Sequence, residues 1–350
     1  MEKQHSYAID HAKCIGIILV LFGHFPNNII NVLLPYTFHM PLFFFIGGIL
    51  FNPYKDVKMF YKGIAVKYLF YIFLAYIFLG CSAKLLHNIF NTSDMNVFGS
   101  GVISTVRLAV ENNFHNNLFY IVGWFLFSYM LLLTIAMPVI RLLSMSKTFI
   151  KPEIIITIFG LIVGYLAISY VSPEYKDSKE FYLNTLSQVM VGMMFFCLGY
   201  SSKGIIWNIL NPYVAFSLFL LMYILRQYGM VTTTYMSWST YNDGFYMSLL
   251  SAICGIYITM LFANMLSKYG DLNLSRYIGN NSKSIMTFHM LSFTLIDIAI
   301  SSVGFFKINS SNIMQHFISP ISFPLYMVLS IVTSLLIGKS LSFITFKRFS

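Results

Sequence analysis

Charged residues are scarce in this chain. Lys, Arg, Asp and Glu make up 10% of its 350 residues, whereas about a quarter of a soluble globular domain is charged. Polar connections long enough to hold a soluble domain are missing, and hydrophobic residues reach 57%. Apolar residues do not alternate with polar ones, which argues against a membrane barrel. The composition therefore predicts an all-α, polytopic membrane helical bundle, with residues 1–350 forming a single integral-membrane domain.

The motifs of several enzyme classes are missing as well. The four cysteines form no CxxC pair, and there is no HExxH motif, Cys/His cluster, GxSxG elbow, phosphate-binding loop or dinucleotide fingerprint. The 12 acidic residues are scattered, which argues against a glycosidase with paired carboxylates. We therefore expect no metal site and no permanently bound cofactor.

Ten apolar runs come close to the ~20 residues that a spanning helix needs. The first is followed by Pro26 and two asparagines instead of a small-residue cleavage site, so it predicts a retained helix and not a signal peptide. The second is short. The ten runs are placed at 13–34, 36–52, 66–86, 118–140, 153–172, 183–201, 207–225, 245–266, 278–300 and 321–345.

The net charge of +10 is better explained by membrane orientation than by nucleic-acid binding. Cytoplasmic loops of membrane proteins collect Lys and Arg. With the N-terminus inside, most of the 22 basic residues fall in cytoplasmic loops or at cytoplasmic span ends. The exterior keeps only Lys84, Arg107, Lys176, Lys179, Arg226 and Lys307. This distribution predicts about ten transmembrane helices with both termini cytoplasmic, and no nucleic-acid partner.

The first span carries three ionisable residues, and an ionisable side chain inside a bilayer is costly enough to indicate function. Lys13 precedes His24 by about three helical turns, so the two share a face roughly 16 Å apart along the axis. Asp10 lies one turn further back, near the same stripe. The structural alternatives are a packing histidine, a lysine anchored at the membrane surface, and an Asp10–Lys13 pair. The shared face favours a functional site, in which the ammonium of Lys13 contacts donor phosphates.

Two further histidines lie in apolar runs. His289 is in the ninth span, at a depth like that predicted for His24 near the bilayer midplane, and Asp297 follows two turns later. His39 lies near the exterior end of the second span, where an interfacial histidine is the structural alternative. Two membrane histidines at matched depth, with carboxylates nearby, favour a shared polar path.

Four short motifs resemble those of the acyltransferase-3 family, whose members are bacterial membrane O-acyltransferases. The Asp-x-x-Lys pattern of the first motif is most similar to the fucose-4-O-acetylase-like branch. The four occur in the family's order across the predicted spans, which makes the set more specific than any one of them. They are Lys-x10-His at Lys13 and His24, Phe-His-Met-Pro-Leu-Phe-Phe-Phe from Phe38, Trp-Phe-Leu from Trp124, and Gly-x2-Ser-x6-His at Gly279, Ser282 and His289.

The resemblance implies an acyltransferase that moves an acyl group, usually acetyl, from cytosolic acetyl-CoA to a sugar hydroxyl. The acceptor would be a cell-surface polysaccharide or a lipid-linked saccharide. Lys13, Lys62 and Lys67 would hold the CoA phosphates at the cytoplasmic side. The protein would be a multi-pass protein of the bacterial cytoplasmic membrane, in contact with membrane lipids.

The resemblance also implies roles for the polar residues of the spans. The catalytic set would be His24, Asp10 and His289, with His24 as general base or as nucleophile, between which the sequence does not decide. His39, Trp124 and Ser282 would contact the acceptor. Two positions depart from the family pattern. Gly47 stands where many members have Ser, and the Pro that many members carry at the entry of the third span is missing beside Lys67.

Two other functions are compatible with the composition. A transporter or flippase for a polysaccharide precursor could use buried His and Asp for proton coupling, but the sequence shows no repeated half and no matched pair of broken helices. A scaffold for a synthase complex would leave the buried histidines unexplained. An O-acetyltransferase explains both the composition and the histidines.

Overall fold

The computed structural model describes residues 2–25, 34–90, 96–145, 149–269, 272–305, 307–308, 316–319 and 321–346. Within these residues the regular structure is helical, and the only β-type pairing is an isolated antiparallel bridge between Tyr235 and Thr240. The predicted all-α class is therefore confirmed.

The described part of the chain contains fifteen α-helices, two π-helical segments, Ala65–Phe70 and Ala167–Val171, and three short 3-10 helices, Pro35–Thr37, Leu118–Tyr120 and Met236–Trp238. The α-helices are α1 Glu2–His24, α2 His39–Leu50, α3 Val57–Ile64, α4 Tyr71–Phe90, α5 Val102–Glu111, α6 Gly123–Ser144, α7 Pro152–Leu166, α8 Ser172–Ser178, α9 Phe181–Ser202, α10 Ile206–Ile209, α11 Pro212–Gln227, α12 Gly244–Lys268, α13 Asn273–Asn280, α14 Ser282–Ser302 and α15 Ser322–Phe346.

Eight helices of the described chain are long and apolar enough to cross a membrane, so this is a membrane protein with multiple spans. Two of the ten predicted spans correspond to shorter apolar helices, Pro35–Leu50 and Pro212–Gln227. The total of ten and the cytoplasmic termini stay predictions. The eight are Gln4–His24, Val57–Phe90, Gly123–Ser144, Pro152–Ser178, Phe181–Ser202, Gly244–Lys268, Ser282–Ser302 and Ser322–Leu341.

The first span differs from its prediction at both ends. Helix α1 begins at Glu2 and ends at His24, whereas the apolar run predicted a helix over 13–34. His24 is thus the last residue of its helix, and the predicted helix over 13–34 is wrong at both ends. The depth of His24 in the membrane stays a prediction. Residues 26–33 lie outside the described residues. The physical reason for the stop is Pro26, because a proline disfavours helical geometry at the residue before it.

The third span is longer than the sequence indicates. Helix α3, the π-helical segment Ala65–Phe70 and α4 form one continuous helix, Val57–Phe90, of 34 residues. Its start is fixed locally, because the Asp56 carboxylate accepts a hydrogen bond of 2.8 Å from the Met59 N–H and so caps the helix. The predicted donor residues Lys62 and Lys67 both lie on this helix.

The chain divides into two compact units. Unit 1 consists of Met1–Gly16, Leu33–Tyr71 and Trp124–Gly279, and unit 2 consists of Ile17–Val32, Ile72–Gly123 and Asn280–Ser350. Helix α1 begins in unit 1 and ends in unit 2. Asp10 and Lys13 therefore belong to unit 1, and His24 belongs to unit 2. The single domain over 1–350 stays a prediction.

In unit 1, helices α2 and α9 pack against each other at two glycines. A Cβ added to Gly48 of α2 would collide with the backbone carbonyl of Phe196, and one added to Gly199 of α9 would collide with that of Phe45. Small residues allow this kind of backbone approach between membrane helices. Helix α9 also packs against α7, so α2 and α7 both pack on α9.

In unit 2, helix α14 packs along α15, and the two are joined by a hydrogen bond of 3.0 Å between the hydroxyls of Ser292 and Ser334. The connection between α4 and α6 contains the short helix α5. It is fastened to α4 by the Tyr76 hydroxyl, which donates 2.6 Å to the carbonyl of Val97. Unit 2 therefore contains the α14–α15 pair and an ordered connection packed beside α4.

Candidate active site

Two histidine rings meet in unit 2. The imidazoles of His24 and His289 have their ring centroids 5.0 Å apart, with an angle of 49° between the ring planes. His24 is the last residue of α1 and His289 lies in the second turn of α14. The sequence placed these two histidines at similar depths, and the structure brings their rings into contact.

The hydrogen bonds of His289 determine its tautomer. Its Nδ1 lies 2.8 Å from the carbonyl oxygen of Met286 and 3.2 Å from that of Ile285. A carbonyl oxygen only accepts, so Nδ1 carries the proton and the lone pair of a neutral ring is on Nε2. That Nε2 atom is buried and has no hydrogen-bond partner among the described residues. His289 thus has a proton-accepting atom that the described residues leave unused.

A polar cluster around Asp297 lies on the same helix. His289, Phe293 and Asp297 are spaced by four residues, which places them in sequence along adjacent turns of α14. The Asp297 carboxylate is buried, and it accepts hydrogen bonds from His316 Nδ1 at 2.8 Å and from the Tyr326 hydroxyl. A buried carboxylate requires such donors to offset its lost hydration.

Unit 1 holds the predicted donor residue Lys13 in a cluster of charges. Its ammonium lies 3.4 Å from the Asp10 carboxylate, and the guanidinium of Arg276 lies 4.0 Å from the other oxygen of Asp10. Arg276 is also 3.5 Å from the ring centroid of Tyr7, in cation–π geometry. Lys13 and Arg276 are each about a fifth to a quarter exposed. Two cations are therefore accessible on either side of one carboxylate.

Gly279, from the family-like late motif, explains how Arg276 reaches α1. A Cβ at this position would collide with the backbone carbonyl of Asp10, so α13 lies directly against α1 in unit 1. On the same face, His11 Nδ1 lies 2.9 Å from the hydroxyl of Ser275. The glycine has a packing role. Ser282 of the same motif begins α14 in unit 2, two turns before His289 and on the same face.

His39 is held by the turn that precedes α2. Its Nδ1 donates 2.6 Å to the carbonyl oxygen of Pro35, and its ring meets the edge of the Tyr36 ring at 5.0 Å. The residue is buried. Leu34, with φ of 48°, provides the bend that begins this turn. In a neutral His39 ring the proton is therefore on Nδ1 and the lone pair is on Nε2. The residue lies inside unit 1.

Trp124 and Gly47 also lie in unit 1. Trp124 is buried near the start of α6, with its ring against the edge of Phe125 at 6.0 Å. The Tyr129 hydroxyl of α6 fills the space that a Cβ at Gly47 would need. A hydroxyl from another helix therefore stands next to the position where many family members carry Ser. Lys62 and Lys67 are exposed along the long helix.

Sequence reasoning missed four side chains of these clusters. Arg276 joins the Asp10–Lys13 pair, His11 next to Asp10 contacts Ser275, and His316 and Tyr326 join Asp297. One signal was available. Asp297 lies inside an apolar helix and needs a hydrogen-bond donor. His316, which precedes the next span, was the natural candidate for that donor. The donors to Asp297 come from residues about 20 to 30 positions away, and their contact depends on tertiary packing.

A family model for an acyltransferase domain matches residues 6–339 of the chain. The match includes the histidine pair of unit 2 and the charge cluster of unit 1. No curated protein and no solved structure matches the chain.

Proposed function

The chain belongs to the acyltransferase-3 family and is a membrane acyltransferase, and we propose that it transfers an acetyl group from cytosolic acetyl-CoA to a sugar hydroxyl. The observation that carries this proposal is the contact between the rings of His24 and His289 at 5.0 Å. Acyl transfer to an alcohol needs a base that can remove the hydroxyl proton near neutral pH, and imidazole is suited to that task.

In the general-base route, an imidazole of the pair accepts the proton of the acceptor hydroxyl. The hydroxyl oxygen forms a bond to the thioester carbonyl carbon, the carbon–sulfur bond breaks, and the leaving thiolate takes a proton to become CoA. His289 supports this route, because its Nδ1 proton is held by backbone carbonyls and its Nε2 lone pair is available.

In the covalent route, His24 attacks the thioester carbonyl and CoA thiolate leaves, which gives an acyl-imidazole. The acceptor hydroxyl then attacks this intermediate while His289 accepts its proton, and His24 is regenerated. The adjacent rings support a division of roles of this kind. Both routes use the same two residues, so a chemical test is needed to separate them.

Donor binding is assigned to the charge cluster of unit 1. Lys13 and Arg276 offer two cations beside the Asp10 carboxylate, and Lys and Arg side chains are the usual protein partners of phosphate groups. Asp10 pairs with both, which supports a role in orienting them. Lys62 and Lys67 are exposed cations that would add to the attraction of the anionic donor.

The acceptor side of the proposal involves His39, Trp124 and Ser282. The proposed acceptor is a cell-surface polysaccharide or a lipid-linked saccharide. The proposed location of the protein is the bacterial cytoplasmic membrane. The Asp-x-x-Lys pattern at Asp10 and Lys13 supports placement in the fucose-4-O-acetylase-like branch. No bound cofactor is required, because acetyl-CoA is consumed as a substrate.

The test uses purified protein in lipid nanodiscs with acetyl-CoA labelled in the acetyl group. Wild type is expected to release CoA and to pass label to an added lipid-linked saccharide. A transporter would leave acetyl-CoA intact, and that result would contradict the proposal. Label that stays on the denatured protein when acceptor is omitted, and disappears in His24→Ala, would select the covalent route.

A further inference from the structure

Asp297 is the most deeply buried carboxylate of the described chain, and its partners come from one short stretch. Its side chain is 1% exposed. It accepts from the Tyr326 hydroxyl, from His316 Nδ1 at 2.8 Å and from the backbone N–H of Phe317 at 3.3 Å. A carboxylate only accepts, so the proton between Asp297 and His316 is on Nδ1. The carboxylate therefore fixes the His316 ring in one orientation.

The ring of His316 lies flat against that of Phe25. The two ring planes are 7° apart, with a centroid distance of 5.8 Å. Phe25 is 3% exposed, and its ring also packs against Tyr326 at 5.1 Å and Phe323 at 5.6 Å. Two of its neighbours, His316 and Tyr326, are bonded to Asp297. The position of Phe25 thus depends on the Asp297 cluster.

Phe25 directly follows His24, the last residue of α1. Its N–H donates 3.3 Å to the carbonyl oxygen of Phe22, so its backbone is part of the final turn. Holding the Phe25 ring holds the end of the helix and the direction in which the His24 side chain leaves it. Asp297 and His289 are on one helix, α14, so the same rigid element carries His289 and anchors His24.

We infer that Asp297 and His316 are positioning residues, a carboxylate–imidazole pair that holds Phe25 and thereby keeps His24 in contact with His289. This inference rests on the proposed acyl transfer only for its activity readout. The rings of Phe25, Phe293 and Tyr326 pack around His316, with the Phe293 centroid at 5.2 Å and that of Tyr326 at 5.6 Å. These apolar surroundings are more typical of a packing residue than of a residue that contacts substrate.

The test compares His316→Ala with His316→Phe in nanodiscs. Phenylalanine keeps a flat ring against Phe25 but has no nitrogen, whereas alanine removes the ring. We expect kcat to fall about 10²-fold in the alanine variant, because small displacements of reacting groups have effects of this size. KM for acetyl-CoA should change less than about twofold in either variant, and the phenylalanine variant should keep at least roughly a third of the wild-type kcat.

A second readout is independent of activity. Hydrogen-exchange mass spectrometry of the peptide covering 17–25 should show faster exchange in His316→Ala and in Asp297→Asn, and near-wild-type exchange in His316→Phe. His115→Ala is the matched control, because this histidine belongs to unit 2 and its Nδ1 donates 2.8 Å to Asn113 within its own loop. The control should leave both readouts unchanged.

Two results would overturn the inference. Equal loss of kcat in His316→Phe and His316→Ala, with wild-type exchange over 17–25 in both, would assign acid–base chemistry to the imidazole instead. Unchanged exchange over 17–25 in His316→Ala would show that the end of α1 is not held by this residue. Failure of wild type to consume acetyl-CoA would contradict the proposed function. The hydrogen-exchange comparison would still test whether His316 holds the end of α1.

Discussion

At the scale of single residues, the chemistry depends on two imidazoles in contact. We expect His24→Ala to lower kcat for acyl transfer by about 10³-fold, a typical effect of removing a general acid–base group, with no loss of protein from the membrane. The change in kcat is measured from initial rates of CoA release by the protein in nanodiscs. His5→Ala is the matched control, since His5 is on the same helix but stacks on Trp207 in unit 1. Normal transfer by well-expressed His24→Ala protein would rule out the catalytic role.

Lys13 is expected to act through its charge. Lys13→Ala should raise KM for acetyl-CoA by roughly tenfold, because a hydrogen bond to a charged group contributes about 1.5–3 kcal/mol. Lys13→Arg should raise it much less, since the guanidinium retains the phosphate contact. Lys84→Ala, which removes a lysine that lies over the Phe98 ring in unit 2, provides the comparison. Equal effects of the alanine and arginine variants would argue against binding by charge.

At the scale of elements, the approach of α2 to α9 has no room for a methyl group. Gly48→Ala would place one against the carbonyl of Phe196, and overpacking of this kind costs about 1–3 kcal/mol. We expect a lower apparent melting temperature in detergent, measured by thiol-reactive dye or light scattering.

The chain offers a matched control for this substitution. Gly63 also lies within a helix of unit 1, but a Cβ there would meet nothing within 4 Å. Gly63→Ala should leave the melting temperature unchanged or raise it slightly, because alanine is favoured in helices by about 1 kcal/mol. If both variants melted alike, close packing at Gly48 would not be what stabilises the α2–α9 contact.

At the scale of the whole molecule, the distribution of basic residues predicts which ends face the cytoplasm. In a variant whose four native cysteines are replaced, Ser100→Cys should react with an impermeant maleimide in intact cells. Tyr54→Cys should react only after permeabilisation. Both residues are exposed, so their reactivity reports the side of the membrane. The reverse labelling pattern would contradict the predicted orientation.

The extent of the membrane helices was predicted well where apolar composition alone decides it. The boundaries of α9 and α12 lie within a few residues of the predicted runs 183–201 and 245–266. The predicted bounds of α1 were wrong for two reasons. The first half of the helix is polar, so hydropathy does not detect it, and the helix stops before Pro26 because of backbone geometry. Hydropathy measures transfer into lipid, whereas helix ends depend on local backbone geometry.

The sequence alone determined the membrane class, the closeness of Asp10 and Lys13 on one helix and the succession of His289 and Asp297 along another, since these follow from composition and from spacing within a helix. Only the tertiary structure decided that His24 meets His289, that Arg276 joins Asp10, and that His316 binds Asp297 and stacks on Phe25. Neighbours on one helix are fixed by its 3.6-residue repeat. Neighbours from distant segments are fixed by how side chains fill the space between helices, which no local pattern encodes.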